Sequence, residues 1–128
     1  MLCRVNLLLS LILAWPVAGA QEPGNERRVL SRADLPTPGY EAVLVEARIP
    51  VGGREGRHRH PGTLVGYVQS GTITLEHEDR APVVYEPGEA FDIEPGKVHE
   101  GINTGAVPVV VIAAFIVERG QPLATQAD

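Results

Sequence analysis

Residues 53–71 read GREGRHRHPGTLVGYVQSG, and residues 88–103 read GEAFDIEPGKVHEGIN. His58 and His60 stand two apart. In an extended strand, positions i and i+2 share a face. Both imidazoles then reach one metal ion, while Arg57 and Arg59 face the other way. A His-x-His pair in a flexible surface loop is the plain alternative. His99 strengthens the metal reading. It follows the Pro95-Gly96 turn at the start of another strand, far away in sequence. A third ligand from a distant strand closes a metal site on the inner wall of a β-barrel.

The flanking sequence reads as short strands and turns. Tyr40–Pro50 partly alternates, with Ala42, Leu44 and Glu46 on one face and Val43, Val45 and Ala47 on the other. Thr63–Gln69 and Thr72–Glu78 are β-branched runs around Ser70-Gly71, a hairpin signal. Pro82–Tyr85, Ala90–Ile93 and Val98–Ile102 follow, punctuated by Pro87-Gly88 and Pro95-Gly96. Val107–Val117 (VPVVVIAAFIV) is long enough for a helix, but its β-branched content favours a buried strand. No segment from Tyr40 to Val117 shows a capped 3.6-residue period. The expected fold class is all-β: a single antiparallel β-barrel or double-stranded β-helix (jelly roll) over residues 40–117. Residues 21–39 read as an extended N-terminal arm, with Val29-Leu30 as a short pairing strand. Residues 118–128 read as a polar C-terminal tail.

Composition narrows the function classes. The chain has 128 residues, a single domain's length, and a formal net charge of −5 with both signs interspersed. No basic face suggests nucleic acid. The only cysteine is Cys3, which excludes a disulfide framework, a zinc finger and a redox pair within one chain. Residues 1–20 carry Arg4, an apolar run from Leu7 to Ala14 broken by Ser10, Pro16, and Ala18-Gly19-Ala20. This is the pattern of a cleaved signal peptide, and the apolar run is short for a membrane anchor. The expected mature protein is periplasmic or secreted, without a membrane segment.

The two quoted stretches resemble the paired motifs of the cupin superfamily, G-x5-H-x-H-x3,4-E-x6-G and G-x5-P-x-G-x2-H-x3-N. His58, His60 and Gly71 match the first, with Gly52 at the ideal glycine spacing. Gly88, Gly96, His99 and Asn103 match the second, with Glu94 at its proline position and Pro95 beside it. The resemblance implies a jelly roll and a divalent metal, Fe, Mn or Zn, on His58, His60 and His99. It departs at residue 64, where the motif glutamate is Leu64. Three neutral imidazoles would leave the full 2+ charge on the metal and free one more position. Some cupin dioxygenases use such a three-His iron site.

Other residues have weaker claims. Tyr67, Phe91 and Phe115 are expected to face a small-molecule ligand, with Val68 lining the same interior. Glu76 or Glu78 could replace the missing carboxylate, because alternation lets one face inward. His77 reads as a solvated residue near a hairpin end. Arg48, Arg54, Arg57 or Arg59 could bind a substrate carboxylate, or simply balance Glu46 and Glu55. Gly71, Gly88 and Gly96 should supply positive φ at turns, and Asn103 should tie a turn through an Asx-type bond. The leading function is an exported metal-binding cupin with oxygenase-like chemistry on a small molecule. The alternative is a non-catalytic ligand-binding or structural cupin with a degenerate site. A sugar-nucleotide epimerase, with His77 as base and Tyr67 as acid, ranks below both. Family resemblance implies a homodimer, with the arm and residues 107–117 at its interface.

Overall fold

The structure is a computed structural model that describes residues 24–128. The signal peptide expected at 1–20 lies outside the described residues. Among the described residues ten strands follow in order: β1 (Glu26–Asp34), β2 (Tyr40–Ile49), β3 (His58–Arg59), β4 (Thr63–Ser70), β5 (Ile73–His77), β6 (Val83–Tyr85), β7 (Ala90–Ile93), β8 (His99–Asn103), β9 (Val109–Glu118) and β10 (Thr125–Gln126). There is no helix among the described residues.

The strands form two five-stranded antiparallel sheets, ordered β1-β2-β9-β4-β7 and β10-β3-β8-β5-β6. No strand of one sheet is hydrogen-bonded to a strand of the other. The closed barrel expected from sequence is therefore an open pair of sheets in jelly-roll order. The core binds them through side chains: Val43, Ile49, Val68 and Val109 from the first sheet meet Ile73 and Leu75 from the second. Strand β9 lies at the centre of its sheet, between β2 and β4, so its whole inner row from Val109 to Val117 is buried. That placement explains why its sequence is almost wholly apolar.

Ser70-Gly71 is not a hairpin turn. Strand β4 pairs with β7 and β9, whereas β5 pairs with β6 and β8, so the chain changes sheets at this corner. Gly71 has φ +77°, and a Cβ there would come within 2.5 Å of the Pro108 carbonyl oxygen. The glycine is required by both the turn and the close approach of the β8–β9 connection. Gly88 and Gly96 also have positive φ, as expected.

The two ends of the chain carry more strand pairing than the sequence reading gave them. The arm is a nine-residue strand, β1, paired with β2 along its length around a bulge between Val29 and Ser31. The C-terminal tail contains β10, which pairs with β3.

Candidate metal centre

His58, His60 and His99 converge. Strand β3 is hydrogen-bonded to β8 with His58 opposite His99, and alternation carries His60 to the same face as His58. The three residues are 3%, 3% and 4% exposed, while Arg57 and Arg59 point to solvent. Ring centroids lie 4.3–4.9 Å apart, and one ring nitrogen from each lies within 4.8 Å of the others.

The hydrogen bonds fix which nitrogen is available. Nδ1 of His58 bonds the Gly56 carbonyl at 2.7 Å, Nδ1 of His60 the Leu123 carbonyl at 2.7 Å, and Nδ1 of His99 the Lys97 carbonyl at 3.0 Å. A carbonyl oxygen only accepts, so each Nδ1 carries a proton, and in the neutral ring the lone pair is then on Nε2. Nε2 of His60 is buried and has no hydrogen-bond partner within the protein. An orphaned buried acceptor costs about 1–3 kcal/mol, and a divalent cation would satisfy it. Burial pushes His60 down to about 3 and His99 down to about 4, with the neighbouring His58 adding to both. Both are neutral at pH 7, as metal ligation requires. The donor set fits a borderline divalent metal.

Beside the triad lies a cavity of about 130 Å³. Phe91, Phe115 and Leu64 line it, and Phe115 meets His60 edge-on at 5.0 Å. Phe91 lies over Gly66, in the space a side chain there would occupy. Val68 is in the core but not on the cavity wall. Tyr67 is not a cavity residue either. It is 48% exposed on the opposite face of β4, because alternation turns Leu64, Gly66 and Val68 inward and Tyr67 outward.

The carboxylate near the triad is neither Glu76 nor Glu78. Both are exposed, and Glu78 accepts a bond from the Val98 amide. Glu55 lines the cavity instead, held by Arg27 at 3.1 Å. Arg27 is likewise the cavity's arginine. Arg48, Arg57 and Arg59 are exposed away from it, and Arg54 forms a bidentate pair with Glu100 at 2.8 Å. Sequence reasoning missed Glu55 and Arg27 because Glu55 sits in a loop without periodicity. The inward aim of Arg27 depends on the register of β1. His77 is half-buried at the end of β5, with its ring 6.5 Å from His99 and its Nε2 accepting from Arg80. Burial and Arg80 hold its pKa below the ordinary value.

The family model for the cupin domain matches residues 45–118, more than half of the sequence. The chain belongs to the cupin family. Solved structures agree with this cupin assignment. An uncharacterized conserved protein with a double-stranded β-helix domain from Klebsiella pneumoniae superposes with a TM-score of 0.65 at 19% identity, covering 85% of this chain and 90% of that one. A cupin-like protein from Thermotoga maritima gives 0.67 at 16% identity, covering 80% and 75%. A cupin superfamily protein from Desulfitobacterium hafniense gives 0.63 at 12%, covering 77% and 83%. At these identities the likeness concerns the fold. None of the curated proteins compared matches the cupin chain in sequence.

Proposed function

We propose that this protein is an exported, metal-dependent cupin that acts on a small molecule by oxygenase-like chemistry, with His58, His60 and His99 holding the metal. The observation that carries the reading is the set of three buried imidazoles, each pinned at Nδ1 by a carbonyl so that Nε2 is left to ligate. A bound Fe(II), Mn(II) or Zn(II) would supply Lewis-acid chemistry, and iron or manganese also redox chemistry toward O2. Leu64 contributes no charge where the family motif has glutamate, so three neutral ligands leave coordination positions for a substrate. Phe91, Phe115 and Leu64 enclose the apolar body of that substrate and exclude water. Arg27 and Glu55 offer a paired guanidinium and carboxylate to its polar end.

Elemental analysis of the purified protein after exposure to Fe(II), Mn(II) and Zn(II) tests this. About one metal per chain is expected, and little in His99→Ala. Sub-stoichiometric metal in the unmodified protein would sink the reading. Metal retention without O2 consumption across a panel of small molecules would favour the second reading, a ligand-binding cupin without turnover. Leu64, buried in the position of the motif glutamate, is the observation in that reading's favour. A homodimer belongs to the same proposal: all nine residues of edge strand β1 are exposed, as strand exchange requires. Sedimentation at two concentrations measures it.

A further inference from the structure

The cupin family model ends at residue 118, yet the last residues of the chain reach the triad. After β9 the chain turns back and adds β10 to the edge of the second sheet, beside β3. Thr125 and Gln126 pair with Arg59 and His58, and the Ala127 amide donates to the Arg57 carbonyl at 3.0 Å. This strap is therefore hydrogen-bonded directly to the segment that carries two of the three histidines. Leu123 and Ala124 line the cavity, and the Leu123 side chain packs against the core. The Leu123 carbonyl accepts the Nδ1 proton of His60 at 2.7 Å.

His60 differs from the other two in this respect. His58 and His99 bond carbonyls two residues earlier in their own strands' approach, Gly56 and Lys97. Those partners form with the local backbone. The partner of His60 lies 63 residues away and arrives only when the C-terminal strap docks. Without it, a buried neutral imidazole has no reason to hold its proton on Nδ1. If the proton moves to Nε2, the ligand lone pair is lost from the centre.

We infer that residues 121–127 form a positioning strap that sets the tautomer of His60 and so completes the triad. The inference rests on the metal-centre reading above, but its first measurement needs no metal. Long-range nitrogen–proton NMR correlations on the metal-free protein report the tautomer of each histidine. All three should show Nδ1–H. In a variant ending at Gly120, His60 should shift to a population rich in Nε2–H, while His58 and His99 stay Nδ1–H. Those two histidines serve as the folding control, because a general loss of structure would change all three.

Zn(II) affinity should fall about 10- to 100-fold in the same variant, the usual effect of removing a ligand's supporting hydrogen bond. If truncation unfolds the protein, Ala127→Pro decides the matter. It deletes the donor to Arg57 and stiffens the strap beside Gln126, and should shift His60 and the Zn(II) affinity in the same direction by a smaller amount. An unchanged His60 tautomer with Zn(II) affinity within threefold of the unmodified protein would overturn the strap. Failure of the unmodified protein to bind Zn(II), Mn(II) or Fe(II) would overturn the metal centre instead, and the tautomer measurement would still decide the strap.

Discussion

Asn103 is 3% exposed and uses its whole amide. Its Nδ2 donates to the Ile49 and Val107 carbonyls at 3.0 and 2.9 Å, and its Oδ1 accepts from the Gly105 amide at 3.0 Å. The last bond is the Asx-type turn expected from sequence. The other two tie the end of β2 to the β8–β9 connection, which no local pattern signals. Asn103→Ala leaves those buried groups unpaired and should cost about 2–3 kcal/mol, read as a lower urea midpoint. The histidines make a second prediction at this scale. The folded forms of His60 and His99 titrate near 3 and 4, below the ordinary 6.5. The unfolded chain binds more protons between those values. Stability of the metal-free protein is therefore full above about pH 6.5 and declines as pH falls toward 4 and then 3. Urea titrations at pH 7.5 and 4.5 should show the lower midpoint at the acid value.

The strands behave as the alternation demands, and their partners do not. Strand β7 occupies Ala90–Ile93 as read from sequence, and β4 starts at Thr63 as expected. Alternation along β4 also explains Tyr67: Leu64 and Val68 are buried in phase with Gly66, so an odd-numbered position must face out. The phase was legible, but which phase meets the cavity depends on β9, whose Phe115 lies opposite Leu64. Gly66→Val tests this packing. The new side chain would displace Phe91 from the cavity wall, costing about 1–3 kcal/mol through overpacking. Thermal unfolding measures the loss. Glu100 makes a parallel case on β8, on the face opposite His99. It is 6% exposed, and Arg54 holds its carboxyl below the usual carboxylate range. Glu100→Gln weakens the bond that fixes the loop before His58. The expected cost is about 1–2 kcal/mol, because Arg54 is partly exposed and can rehydrate. A urea midpoint checks it.

For the whole molecule, the proposed metal would be linked to folding. A metal that binds only the folded protein at a hundredfold excess over its Kd adds about 2.7 kcal/mol. For a domain of this size that raises Tm by about 10 °C. Differential scanning calorimetry with Zn(II) and then a chelator should show the rise and its reversal. His99→Ala should show little of either. The sequence by itself determined the all-β class, most strand positions, the three histidines and the turn glycines. These follow from period-two alternation, β-branched content and spacing, all of which are local. Tertiary structure alone decided that Ser70-Gly71 joins two sheets, that the sheets stay open, and that Arg27 and Glu55 reach the cavity. It also brought the Leu123 carbonyl to His60. Each of these depends on contacts between residues far apart in the chain, and the chain has to close those loops before the partners meet.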